Sequence, residues 1–346
     1  MKWIRGIVAL LLIALLPAVS PAWACACGGY LPDAGSRARA QGENALVRFD
    51  GRTEEIVLSM AIRGSSKKAA WIMPVPAASE VTLGQERTFD RLVSLTRPKV
   101  VERKTYWPFR DLGILGSGDG AGAPPKVYAG VDVRGQMVLG PFEVARLGGT
   151  SATAVTDWLR TNGYVVPAGL AENLTPYLSE KWEIVAVKLA PKEASGTMSG
   201  ATPPLRLSFP STKIVYPMRL SKGASTAQTV TVYVAAPYRV DASELPDPAV
   251  QPELLFAGKV GNSSLAELGG STSFLTAYSV KYSEPSRITN DFLFAQAPSN
   301  DEYQRITYVT RNDGLWSTIG VLVGGLLLLG LGAALIARVK LRRARR

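Results

Sequence analysis

The run from Leu315 to Ala337 limits the fold more than any other feature: 23 consecutive residues carry no charge and no proline. As a helix it measures roughly 34 Å, enough to cross a bilayer with some tilt. RVKLRRARR follows at once, bringing Arg338, Lys340, Arg342, Arg343, Arg345 and Arg346 with no acid. Six positive charges beside an apolar span mark a cytoplasmic side. Trp316 stands at the opposite end, where an indole can bury its ring and keep its N–H wet. The alternative of a buried core helix fails because the run is apolar on every face and is followed at once by the basic terminus. Gly320 and Gly324, four apart, offer a small-residue face for weak self-association through the span.

The other end predicts export. Lys2 and Arg5 precede the apolar run Gly6 to Leu16, Pro17 breaks it, and Ala22-Trp23-Ala24 has the small-x-small cleavage form. That run is too short to span. The expected organisation is a signal peptide at 1–24 and an extracytoplasmic subdomain at 25–190. A Ser/Gly/Pro-rich linker at 191–204 leads to a second subdomain at 205–314. A transmembrane helix at 315–337 and a basic cytoplasmic tail at 338–346 complete it. Localisation follows: a single-pass cell-membrane protein, N-terminal region extracytoplasmic and C-terminus cytoplasmic.

Charge needs dividing before use. The formal net charge is +11, but two basic residues lie in the first 24 positions and six in the last nine. The middle keeps only +3, so nucleic acid is not an expected partner. Histidine is absent and only two cysteines occur. That excludes Ser-His-Asp and Cys-His catalysis, histidine-ligated metal sites and a four-cysteine zinc site. No cofactor and no metal are expected.

Between the ends the pattern predicts α+β, strand-rich. Ala45–Phe49 and Glu55–Ile62 flank Asp50-Gly51, a hairpin signal. Ala69–Val75 (AAWIMPV) is apolar but holds Pro74, which predicts an edge strand or a strand end. Arg87–Thr96 has helical spacing with Pro98 as a stop, and Thr150–Asn162 is a helix closed by Gly163. Leu170–Leu178 suggests a short helix. Trp182–Leu189 and Thr229–Ala235 read as strands, and Met137–Leu147 as strand-like. Asp241–Pro252 reads as a turn-rich link. Ser273–Tyr282 and Arg305–Thr310 fit strand or helix. Gly113–Pro125 is glycine-rich, but two prolines follow it and no helix can start in register, so a surface loop is expected rather than a phosphate cradle.

Several pieces together resemble a known family: ACACGGYLPD, AAWIMPVPA, DWLRTNGYVVP, WEIVAVKLAP and PPLRLSFPSTKIVYPMRLS. They are similar, in the same order, to the bacterial family catalogued as domain of unknown function 2330. The resemblance implies a secreted or membrane-anchored bacterial protein, common in actinobacteria. It brings no catalytic residues.

Three sets of residues invite chemistry. Cys25 and Cys27, one residue apart, would close a strained, reducible bridge, the property of a redox pair rather than a staple. The competing reading is a pair that pins the mature N-terminus, and it is favoured because no cationic cluster near them would lower a thiol pKa. Lipidation of Cys25 and its use as an N-terminal nucleophile fit poorly. Asp157, Glu172, Glu180 and Glu183 are the carboxylates from which a hydrolase could be assembled. Trp71, Tyr106, Trp107, Trp158 and Trp182 could form a sugar platform, against which stands core packing. The expected function is a non-enzymatic envelope interaction or structural module, with an envelope ligand or protein and the bilayer as partners. The alternatives are a thiol-disulfide oxidoreductase using Cys25 and Cys27 and, more weakly, a carboxylate-dependent envelope hydrolase.

Overall fold

The computed structural model describes residues 28–32, 36, 38–105, 136–139, 142–147, 151–189, 198–261, 274–312 and 314–344. Cys25, Cys27, Tyr106, Trp107, the 113–125 loop and the signal segment lie outside them.

In chain order the strands begin with β1 (Gly29–Pro32), β2 (Arg39–Phe49), β3 (Thr53–Ser66), β4 (Ala69–Val75) and β5 (Glu80–Leu83). Helix α1 (Thr88–Leu95) precedes β6 (Lys99–Thr105), β7 (Gln136–Leu139) and β8 (Phe142–Leu147). Helices α2 (Ala152–Thr161) and α3 (Leu170–Ser179) lead to β9 (Glu183–Leu189), β10 (Met198–Ala201), β11 (Leu205–Pro210) and β12 (Ile214–Tyr216). A 3-10 turn at Arg219–Gly223 follows, then β13 (Gln228–Ala236), β14 (Val240–Glu244), β15 (Glu253–Lys259) and β16 (Phe274–Tyr282). Last come β17 (Phe292–Gln296), β18 (Tyr303–Gln304), β19 (Ile306–Asn312) and helix α4 (Leu315–Arg343). The protein is strand-rich, with one long apolar helix at the C-terminal end.

The contacts divide the chain into two compact units, one of residues 1–97 and 125–304, the other of residues 98–124 and 305–346. In the first unit a five-stranded sheet runs β1-β4-β9-β8-β7, and a nine-stranded sheet runs β18-β15-β16-β13-β2-β3-β11-β5, with β10 also on β3. A third sheet runs β12-β17-β14.

Strand alternation explains how these sheets stack. On β4, Trp71, Met73 and Val75 join one core, while Ala70 and Ile72 join a second. On β9, Val185 and Val187 take the first core, Ile184 and Ala186 the second. The second core is closed by Val155 and Leu159 of α2 and by Leu170 and Leu174 of α3. The nine-stranded sheet supplies the first core's other wall through Val47, Ile56, Leu58, Val232 and Val234. Its reverse face, with Leu46, Val57, Tyr233 and Ala235, packs on Phe89 and Leu92 of α1. The order is therefore helices, sheet, sheet, helix, with apolar side chains on both faces of the central strands.

Asp50-Gly51-Arg52 makes the hairpin turn: Asp50 Oδ1 accepts from Arg52 N at 2.9 Å and Thr53 N at 2.8 Å, and Gly51 adopts φ +100°. Gly163 closes α2 at φ +81°, its N–H reaching Arg160 O at 2.9 Å. β4 lies inside its sheet rather than at an edge: Ala69–Ile72 pair with β1 on one side and all seven residues pair with β9 on the other. Pro74 sits beyond the end of β1, where a missing N–H leaves that ladder intact. The 241–252 stretch is not all link, since β14 occupies its start and pairs with β17. Strands from both sides of the 191–204 connector share one sheet, β2 with β13 and β3 with β11. Two independent subdomains are therefore not established.

In the second unit β6 and β19 form a parallel pair, Ile306 opposite Lys99 through Asn312 opposite Thr105. Helix α4 follows, with an apolar stretch long enough to cross a membrane and no buried residue in it.

Candidate functional site

The turns after β2 and β11 meet at one corner of the first unit. Ser211 N donates to Arg52 O at 2.9 Å. Ser211 Oγ donates to Lys213 O at 2.5 Å and accepts from Lys213 N at 3.2 Å. Gly51, Arg52, Pro76, Pro210, Ser211, Thr212 and Lys213 enclose a pocket of about 390 Å³. Arg52, Thr212 and Lys213 are exposed. Two cations and a hydroxyl around a shallow pocket suit a small anionic group.

Behind this corner lies Glu54, fully buried. Its Oε2 accepts from Val215 N at 3.1 Å, and Oε1 has no partner among the described residues. Burial raises its pKa well above the ordinary 4.5, while the Val215 N–H, the Ser211 hydroxyl and the Lys213 charge pull it partly back. Its parity explains the burial: Glu54, Ile56 and Leu58 alternate onto the same face of β3, and that face is the core. A carboxyl raised in this way stabilises the fold at pH values below its unfolded pKa. That contribution is lost as the pH climbs towards the folded value. Glu54→Gln keeps the acceptor and removes the ionisation. Urea unfolding should find the variant close to wild type near pH 5 and more stable near pH 9; an identical pH slope in the two proteins would refute the assignment.

A second polar cluster ties α3 to the 3-10 turn and to the residue before β17. Asp291 Oδ1 accepts from the Tyr177 hydroxyl at 2.5 Å and from Met218 N at 2.7 Å and Arg219 N at 3.2 Å. Arg219 Nη2 lies 2.8 Å from Asp291 Oδ2, and the guanidinium also grips Glu180 at 2.5 and 3.1 Å. It stacks 4.1 Å over the Tyr177 ring, which in turn packs on Trp182 at 5.0 Å. Burial, then Asp291, pushes the Tyr177 hydroxyl well above its usual pKa. Burial works against the charge on Arg219, but Glu180 and Asp291 outweigh it and raise its pKa. Apart from Arg219 Nε, which is buried without a partner among the described residues, the polar groups here are spent on one another, so the cluster works as a structural knot. A third cluster has Glu55 accepting from both Arg48 and Arg206 across the strand pairs.

The carboxylates named from sequence do not converge on one another. Asp157 pairs with Arg160 on the exposed side of α2 at 2.5 Å. Glu172 is exposed on α3. Glu180 is held below its ordinary pKa by Arg219. Burial opposes the charge on Glu183, yet Arg146 at 2.9–3.0 Å and Ser79 hold its pKa low. Glu180 and Glu183 are thus shifted away from the raised pKa of a general acid. Trp71 and Trp182 are buried. Trp158 packs against the second core with Lys188 over its ring at 5.6 Å. These three serve packing. No group of three or more acids or cysteines that could hold a metal occurs among the described residues.

Sequence reading passed over Arg52, Glu54, Lys213, Arg219 and Asp291. Only Glu54 carried a local signal, an acid in the inward register of an otherwise apolar strand.

A strand-rich globular part followed by one apolar C-terminal helix defines the class of protein. The chain belongs to the bacterial family described as "Uncharacterized protein conserved in bacteria (DUF2330)", whose pattern matches residues 21–295. No curated protein sequence matches it. Among solved structures it is similar to baculovirus P35, at 11% identity and a TM-score of 0.34, covering 78% of this chain and 98% of that one. It is also similar to a Legionella pneumophila protein titled "putative nutrient binding protein", at 8% identity and a TM-score of 0.30, covering 78% and 71%.

Proposed function

We propose that the chain is a membrane-anchored extracytoplasmic interaction module, non-enzymatic, that presents its folded part outside the cell. Helix α4 carries this reading: its apolar stretch is exposed on every face, and basic residues follow it directly. A segment of that kind is stable in lipid and costly in water. The N-terminal run at 1–24 supports export, and the tail Arg338–Arg346 supports a cytoplasmic C-terminus. The resemblance in sequence favours an actinobacterial source.

The pocket at Arg52 and Lys213 is the place where an anionic group of an envelope ligand or protein would sit. Glu180 and Glu183, each committed to an arginine, speak against a hydrolase built on them. Gly320 and Gly324 would bring two copies together weakly within the bilayer.

Protease added to intact cells tests the topology. Residues 28–312 should be digested while a tag after Arg346 survives with α4. Protection of the folded part, or release of the full-length chain by alkaline carbonate, would overturn the proposal.

A further inference from the structure

The second unit holds a feature that anchoring alone does not use. A two-stranded parallel ribbon is marginal by itself, and parallel strands are ordinarily covered on both faces. Here β6 and β19 leave Val100, Ile306, Tyr308 and Val309 between 47 and 58% exposed. Such a ribbon needs a surface to rest on.

Chain length places that surface. β19 ends at Asn312 and α4 begins at Leu315. Three residue steps reach at most about 11 Å. The headgroup layer is about 6 Å thick on each side of the hydrocarbon, and surface charge is felt for about 8 Å beyond. Once α4 is inserted, the end of the ribbon cannot leave this zone.

The two faces of the ribbon differ. By alternation and register, Ile306, Tyr308 and Thr310 share a face with Lys99, Val101 and Arg103. That face carries two cations and no acid. The Arg103 guanidinium stacks 3.7 Å over the Tyr308 ring, a cation and an aromatic held together. Aromatic rings favour the membrane–water boundary, and basic side chains there are drawn to anionic headgroups. The opposite face carries Lys104 and Arg311 with Val100 and Val309, but also Glu102, which cuts its net charge to +1, and it has no aromatic ring. It is the less suited of the two to an anionic surface.

We propose that the Lys99/Arg103/Ile306/Tyr308 face of the β6–β19 ribbon docks on anionic lipid headgroups of the leaflet at the N-terminal end of α4. This rests on α4 being inserted in the bilayer, as argued above. The ribbon then holds a fixed attitude at the membrane instead of acting as a free stalk.

Hydrogen exchange on the full chain tests this, with the protein in nanodiscs of phosphatidylcholine alone or with phosphatidylglycerol. Amides of 99–105 and 306–312 should exchange on the order of tenfold more slowly in the anionic discs. High salt and the K99E/R103E double variant should each abolish the difference. Equal exchange in both lipids would overturn the proposal. So would protection that appears only in discs holding two copies, since the occupant would then be a second ribbon. Protection of 315–337, read in the same experiment, reports insertion separately, so a failure of anchoring is distinguishable from a failure of docking.

Discussion

Asp291→Ala is expected to destabilise the protein by about 3–5 kcal/mol, the cost of removing one partner from a buried ion pair. The carboxylate serves the Tyr177 hydroxyl, two backbone N–H groups and the Arg219 guanidinium. The Asp291 side chain is 8% exposed and that of Arg219 17%, so water cannot replace what is lost. Glu180→Ala is the control: it removes the guanidinium's outer partner, whose side chain is 44% exposed, and should cost about 1 kcal/mol or less. Thermal unfolding of the full chain in micelles would check both. If the two variants lose the same stability, the knot is not centred on Asp291.

Gly28→Ala should be nearly as damaging. An added Cβ would stand 2.1 Å from the Ile72 carbonyl oxygen and 2.9 Å from Trp71 Nε1. The first is a backbone atom of a strand paired with β1 and β9 and cannot move aside. Overpacking of this kind costs about 1–3 kcal/mol or more. The expected outcome is loss of β1 from its sheet, seen as faster exchange of the Ala69–Ile72 amides and a changed near-ultraviolet signal from Trp71. Gly51→Ala sets the scale. It has open space around the added carbon but a φ of +100°, so it should cost only about 1 kcal/mol. Wild-type exchange in Gly28→Ala would show that β1 approaches β4 less closely than described.

The glycines of the ACACGGYLPD stretch thus have a packing reason that spacing alone could not supply. Elsewhere, much of the local structure was legible. The hairpin at Asp50-Gly51, the helix closed by Gly163 and the strand Glu183–Leu189 followed from turn chemistry and periodicity. The 137–147 stretch came out as two strands, Gln136–Leu139 and Phe142–Leu147, and the Gly140-Pro141 dipeptide in the sequence was the breaker signal that the single strand-like reading passed over. Of the two expectations for Ala69–Val75, an edge strand or a strand end, the edge failed over the first four residues, which pair on both sides. Pro74 does fall near the strand's end, because proline disqualifies only the positions it occupies.

The candidate site was almost illegible. Glu54 could be suspected from its parity on β3. Arg52 and Lys213 meet only because β3 pairs with β11. Arg219 and Asp291 are ordinary charged residues until α3, the 3-10 turn and the approach to β17 come together.

The amino-acid order by itself determined the apolar helix from Leu315, the basic tail and most of the short-range elements. Each depends on the solvation or dihedral preferences of neighbouring residues. Tertiary structure alone decided that β2 lies beside β13, that two sheets share one core, and which polar groups are sealed inside it. Those outcomes turn on contacts between residues more than a hundred positions apart, and their energy comes from matching whole faces. No stretch of chain read alone carries that information.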